Sequence, residues 1–289
     1  MTAENLPFHP NPKKPDVVLP AEACDAHCHV FVPAARFAFA PERTYTPVDA
    51  PKETLFALHR HLGISRTVLV QASCHGTDNA AMLDMIAADP ANVRGIAMVK
   101  PDITPSDLQA LHDGGVRGVR FNFVAHLGKD ADLDAVRTTV AKIADLGWHA
   151  VVHFDAAKLP ELAPFLREMP VPMVIDHMGR VDASAGLDQE PFRLLLDLME
   201  DERFWVKVCG SERISRAGPP FHDAVPFART LVETFPDRVL WGTDWPHPNI
   251  KKNMPDDGAL VDLLPLMAPS GDLMRALLVD NPTRLYWAD

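Results

Sequence analysis

Cys24-Asp25-Ala26-His27-Cys28-His29-Val30-Phe31 is a short apolar run broken by two histidines at an interval of two. Read as a strand over 23–31, its period puts His27 and His29 on one side and Cys28 on the other. Seven further runs rich in Val, Ile and Phe follow, at 66–73, 93–100, 116–123, 149–155, 172–179, 204–210 and 239–244. They are almost continuous in apolar residues, as strands buried on both faces are. Helical spacing fills the gaps, most clearly at 53–61, 79–88 and 133–146, and again at 191–199 and 226–235. Eight strands with helices between them predict a single-domain (β/α)8 TIM barrel of the α/β class. An open doubly wound sheet alternates in the same way, but the strand count and the length of 289 residues favour the closed form, whose usual size is about 250 residues.

No break in composition marks a second domain, so the barrel is expected to occupy 21–289. Residues 1–20 are expected to form an extended arm. Within it Leu6-Pro7-Phe8-His9-Pro10-Asn11-Pro12-Lys13-Lys14-Pro15 spaces its prolines too closely for a helix or a central strand. The chain carries 39 acidic against 28 basic residues, a formal charge of -11, which argues against a nucleic-acid partner. No apolar run approaches the roughly 18 residues that span a bilayer, and Met1-Thr2-Ala3-Glu4-Asn5 opens neither a positive n-region nor an apolar h-region. Four cysteines in so long a chain make no disulfide framework. A soluble, cytoplasmic protein is the expectation.

A barrel gathers its chemistry at the C-terminal ends of its strands. There the sequence places His27 and His29 (first strand), His153 (fifth), His177 (sixth) and Asp244 (eighth). Polar side chains inside a barrel are unfavourable unless paired or holding something, so five converging groups read as a site. His59, His61, His112 and His149 fall on helices or strand starts and read as structural. Arg120, Arg180 and Arg213 lie at or just past strand ends. Guanidinium forks match carboxylates in two-point contact, so three around one cavity suit an anionic substrate. Ion-paired arginines are the plainer reading of each, Arg213 above all, because Glu212 adjoins it.

The His-x-His of the first strand, the single histidines of the fifth and sixth and the aspartate of the eighth resemble the amidohydrolase superfamily. Several segments look like its 2-pyrone-4,6-dicarboxylate lactonase subgroup: Val70-Gln71-Ala72-Ser73-Cys74-His75-Gly76, Gly118-Val119-Arg120-Phe121-Asn122-Phe123-Val124, Asp176-His177-Met178-Gly179-Arg180 and Leu240-Trp241-Gly242-Thr243-Asp244-Trp245-Pro246-His247-Pro248. The resemblance implies a carboxylic-ester hydrolase of aromatic catabolism that opens a lactone bearing carboxylates. Asp244 would then be the base that activates water, and His27, His29 and His177 would polarise the carbonyl or hold the water. Tyr45, Ser73, Arg120, Arg180 and Arg213 would grip the substrate.

Two departures from that subgroup matter. His153 stands where the subgroup, a metal-independent branch, has Tyr. It completes a possible set of His27, His29, His153 and Asp244 for one zinc or manganese ion. Metal-free catalysis stays open beside it. His126 stands where an arginine is usual, so both it and His153 count among the expected substrate contacts. A sulfomuconolactone or aldarolactone hydrolase or isomerase, and a metal-dependent decarboxylase of an unsaturated acid, are the alternative readings on the same scaffold.

Overall fold

The computed structural model describes residues 5–128 and 130–288. Eight parallel strands lie side by side in chain order: β1 (Cys24–Cys28), β2 (Arg66–Val70), β3 (Val93–Ala97), β4 (Val116–Phe123), β5 (His149–Phe154), β6 (Met173–Ile175), β7 (Phe204–Lys207) and β8 (Val239–Leu240). Backbone bonds carry the ring from the eighth strand to the first. Ala26 N–H donates to the Trp241 carbonyl at 2.9 Å, Asp244 N–H to His27 at 2.7 Å and His29 N–H to Trp245 at 2.8 Å. The expected (β/α)8 barrel is the fold.

Helices cover the outside: α1 (Lys52–Leu62), α2 (Ala80–Ala88), α3 (Pro105–Asp113), α4 (Leu133–Ala144), α5 (Leu159–Arg167), α6 (Glu190–Met199), α7 (Ser211–Ile214) and α8 (Val225–Thr234). Starts are fixed locally: the Thr104 side chain accepts from Asp107 N–H, and that of Asp132 from Asp134 and Ala135 N–H. Their apolar stripes, such as Val136, Val140 and Ile143 on α4, pack against the strands. Inside the barrel a smaller cluster of Ala26, Val68, Val70, Ile96, Val151, Val174 and Leu240 fills the base, with the buried Tyr286 among them. Each such aliphatic side chain contributes about 1.5–3 kcal/mol by leaving water. No described helix is long and apolar enough to cross a membrane.

The strands end earlier than their apolar runs do. The run at 172–179 yields only Met173–Ile175, because His177, Met178 and Gly179 take left-handed φ values of 51°, 53° and 63°. The run at 239–244 yields Val239–Leu240, and Asp244 sits at φ 62°. Strand pairing excludes such backbone. His177 and Asp244 are therefore carried on turns above the sheet, not on its last rungs.

Of the expected arm, residues 1–4 lie outside the described residues, and 5–20 carry no helix or strand. Phe8 packs on Trp245 with ring centroids 4.9 Å apart. Lys13 pairs with Asp262 at 2.6 Å, on α9 (Asp257–Asp262). Gly258 makes room for this strap, since a Cβ there would collide with the Lys13 carbonyl.

One carboxylate ties the ring together beneath the site. Asp25, fully buried on β1, accepts from the backbone N–H of His27 and of Thr243, each at 3.0 Å, and from the Thr243 hydroxyl at 2.6 Å. The two N–H groups share Oδ1, while His59 Nε2 lies 3.0 Å from Oδ2, the oxygen that the hydroxyl also meets, and His59 Nδ1 meets the Thr67 hydroxyl at 3.0 Å. Asp25→Ala strands several buried donors at once, each worth about 1–3 kcal/mol. It is expected to lower unfolding stability by at least ~3 kcal/mol in a urea titration. A loss below ~1 kcal/mol would show that the ring closes without this carboxylate.

Candidate active site

His27, His29, His153 and His177 meet Asp244 at the C-terminal mouth, all of them buried. The His27 ring lies 5.1 Å from His29 and 4.6 Å from His177, and His177 lies 5.3 Å from His153. Cys28 turns the other way into the core, its thiol facing the Val68 carbonyl. A small cavity opens above the rings. It is lined by His29, Tyr45, Ser73, Arg120, His126, His153, His177, Arg180, Arg213 and Asp244. Every residue expected at the site is on its wall except His27, which is fully covered beneath. A larger cavity runs alongside and shares Ser73, Arg120 and Leu127.

The two oxygens of Asp244 differ. Oδ2 receives Arg213 Nε at 2.8 Å and Nη2 at 2.7 Å, while Arg213 Nη1 donates to the Pro248 carbonyl at 2.7 Å. Oδ1 faces His29 Nε2 at 3.3 Å and His27 Nε2 at 3.6 Å. Burial pushes this carboxyl up, but Arg213 and the surrounding histidines outweigh it and hold it well below the usual carboxylate range. The outer face of Arg213 touches Glu212 at 3.4 Å. Glu212 in turn meets His247, whose other nitrogen lies 3.1 Å from Asp257. Burial opposes a charge on His247, yet Asp257 and Glu212 raise it to about 10, so it is an imidazolium.

Beneath the rings lies a charged layer that the sequence reading did not single out. Lys207, fully buried at the end of β7, stands 3.3 Å from Asp176 Oδ1, and Arg120 reaches Asp176 Oδ2 through Nη2 at 2.9 Å. Burial pushes Asp176 up, but Lys207, His27 and Arg120 bring it well below its usual range. The signal available in sequence was a lysine closing the apolar strand Phe204-Trp205-Val206-Lys207, and an aspartate beside His177.

This layer also contacts the rings from behind. Lys207 Nζ lies 3.1 Å from His27 Nδ1, and Arg120 Nη2 lies 3.1 Å from His153 Nδ1. An acceptor shares each of these nitrogens: Asp176 Oδ1 stands 3.2 Å from His27 Nδ1, and Asn122 Oδ1 stands 3.3 Å from His153 Nδ1. The Nε2 atoms of both rings are buried with no hydrogen-bond partner among the described residues, His27 Nε2 lying 3.6 Å from Asp244. His29 Nδ1 donates to the Val70 carbonyl at 2.7 Å, and its Nε2 stands 3.3 Å from Asp244 Oδ1. Burial, reinforced by Lys207 for His27 and by Arg120 for His153, holds both rings well below 6.5, and burial holds His177 at about 3. All three are neutral near pH 7.

The same partners test the expected metal. Ligand atoms of His27, His177 and Asp244 come within 4.8 Å of one another, a partial match to the expected set; His29 and His153 stand outside that group. A histidine that ligates through Nε2 keeps its proton on Nδ1 and donates it to a carbonyl or carboxylate. His29 has such a partner in the Val70 carbonyl, and His27 in Asp176, 3.2 Å from its Nδ1. His27, His177 and Asp244 are therefore the residues that would hold one divalent ion, and His153, with Arg120 at its Nδ1, is not among them. The arginines also differ from a free substrate clamp. Arg120 is held by Asp176 and Arg213 by Asp244, whereas Arg180 commits only Nε, to Asp155 at 3.2 Å, among the described residues.

The family model for amidohydrolases matches residues 24–287. A 2-pyrone-4,6-dicarboxylate hydrolase of Comamonas testosteroni is 53% identical, the match covering 98% of this chain and 96% of that protein. A 4-sulfomuconolactone hydrolase of Hydrogenophaga intermedia is 41% identical, over 96% and 92% respectively. The crystal structure of the Agrobacterium tumefaciens protein ATU3138 superposes with a TM-score of 0.85 at 26% identity, covering 95% of this chain and 99% of that one.

Buried neutral histidines make the fold acid-sensitive. His149 and His177 are each held at about 3, while in the unfolded chain they titrate near 6.5. Below about pH 6.5 the unfolded state binds more protons, so stability falls as pH falls, by about 1.4 kcal/mol per unit for each group. The urea midpoint is expected to be clearly lower at pH 5 than at pH 7; an equal or higher one would contradict these assignments.

Proposed function

The chain belongs to the amidohydrolase family, and from that premise we propose that it hydrolyses 2-pyrone-4,6-dicarboxylate or a close carboxylate-bearing lactone. The observation that carries the proposal is the split of roles around Asp244. One oxygen is held by Arg213, and the other stands beside His29 and His27. His153 and His177 line the same cavity, and the Nε2 of His153 has no hydrogen-bond partner among the described residues. An acceptor for water and imidazoles for a carbonyl oxygen thus share one small cavity.

In this reading a water gives one hydrogen to Asp244 Oδ1. Its oxygen attacks the lactone carbonyl carbon, and Asp244 takes the proton as the new C–O bond forms. The contacts that keep Asp244 ionised also make it a weak base. Proton transfer is therefore coupled to charge growing on the carbonyl oxygen, where the Nε2–H donor of His177 stabilises it. Collapse breaks the bond to the ring oxygen, which leaves with the proton from Asp244. No step passes through a metal.

Arg180 supplies the guanidinium with uncommitted nitrogens, and with Ser73, Tyr45 and His126 it forms the anion-binding side of the cavity. Arg120 and His153 close its floor. Two close relatives that act on a dicarboxylate and on a sulfonated lactone support a negatively charged lactone as substrate. The four cysteines are buried and free, which suits a reducing compartment, so the proposal sets the reaction in the cytoplasm, within aromatic catabolism.

The test is a panel of 2-pyrone-4,6-dicarboxylate, 4-sulfomuconolactone and an aldarolactone, each assayed before and after exhaustive chelation. The dicarboxylate is expected to have the highest kcat/KM, unchanged by chelation, with one acid equivalent released and no carbon dioxide. Asp244→Asn should lower kcat by at least ~10²-fold. Preference for another lactone would move the substrate assignment, activity lost with the metal would end the metal-free mechanism, and an active Asp244→Asn would remove the base.

A further inference from the structure

Past the end of β7 at Lys207 the chain continues through Val208 and Cys209. Val208 packs outward in the core, while Lys207 and Cys209, two residues apart, both point inward and are buried. Each meets the outer nitrogen of a different site histidine. Lys207 Nζ is 3.1 Å from His27 Nδ1, and Cys209 Sγ is 3.4 Å from His177 Nδ1. The contact to His177 is built into the backbone. Gly210, at φ 77°, lets the chain pass beneath the ring, and a Cβ there would stand 2.6 Å from His177 Nδ1.

Resting on the hydrolytic reading above, we propose that Cys209 is a positioning residue whose thiol donates to His177 Nδ1 and so keeps the His177 proton on Nε2, facing the cavity. Two geometric arguments support this direction. A thiol sulfur is a weak acceptor, whereas an imidazole lone pair is a good one, so the S–H to N arrangement uses the better acceptor. The opposite tautomer would also turn the Nε2 lone pair toward the Asp244 carboxylate, whose Oδ2 lies 3.9 Å away. With Cys209 in place, His177 has a donor behind the ring and an N–H in front. Cys209 touches neither substrate nor water in this arrangement. Its influence passes through His177 alone.

The experiment uses the full-length protein with 15N-labelled histidine, read by long-range proton–nitrogen correlation, together with steady-state kinetics on the lactone that the panel selects. In the wild type, His177 is expected to carry its proton on Nε2, with Nδ1 shifted as an accepting nitrogen, and His29 to carry its proton on Nδ1. In Cys209→Ala, His177 Nδ1 should move toward the position of an unbonded lone pair, and kcat should fall about tenfold with KM within about twofold. That is less than the roughly 10²–10³-fold loss on deleting a transition-state donor, because the ring itself remains. Cys209→Ser keeps a donor and should return the Nδ1 resonance and bring kcat within about threefold of the wild type.

A wild-type proton on His177 Nδ1 would overturn the proposal, as would a Cys209→Ala variant with unchanged Nδ1 and kcat. So would a Cys209→Ser variant as impaired as the alanine. If Cys209→Ala fails to fold, the wild-type and serine spectra still decide the matter. The tautomer readout needs no substrate, so a failed lactone assignment and a failed role for Cys209 give different results.

Discussion

A fully buried carboxylate joins the first strand to the turn after the last. Asp25 accepts from the backbone of His27 on one side and from Thr243 on the other. Residues 27 and 243 are far apart in the chain, so this bond decides where Asp244 sits relative to the His-x-His pair. The site above depends on that placement: Asp244 N–H is itself bonded to the His27 carbonyl, and its carboxylate lands between His29 and Arg213. The N-terminal arm backs the same point from outside, where Phe8 lies on Trp245. An orphaned carboxylate this deep would be strongly destabilising, but Asp25 meets a donor at each oxygen.

The chemistry then follows from how charge is layered. Lys207 and Arg120 neutralise Asp176 and at the same time face His27 and His153 from behind. Asp176 is shared between these cations and His27, whose Nδ1 lies 3.2 Å from its Oδ1, and burial keeps His27, His153 and His177 neutral. His29 is held between the Val70 carbonyl and Asp244. The polarity of the site thus results from the identity of a few outer contacts.

Much of this was legible in the sequence. Apolar runs of 4–8 residues alternating with helical spacing are enough to identify the barrel, because strands buried on both faces cannot hide their composition. The five converging polar groups were readable for a related reason: a histidine or aspartate at the end of such a run has to be explained. Three things were not legible. The left-handed turns at His177 and Asp244 depend on tertiary contacts, so an apolar run overstates its strand. The pairing of Arg120 with Asp176 and of Arg213 with Asp244 needs positions in space, and it changes both arginines from free clamps to holders of carboxylates. The metal set built from His153 rested on residue type alone, whereas the ligand atoms that converge are those of His27, His177 and Asp244, a matter of packing.

The most direct test of the account is the crystal structure of the Asp244→Asn variant with the intact dicarboxylate lactone bound. The account predicts the scissile carbonyl oxygen within hydrogen-bond reach of Nε2 of His177. The carbonyl carbon should face residue 244 and His29, and a substrate carboxylate should rest on Arg180. A lactone seated in the adjoining cavity between Arg43 and Asn122, or turned so that its carbonyl oxygen points at residue 244, would contradict it.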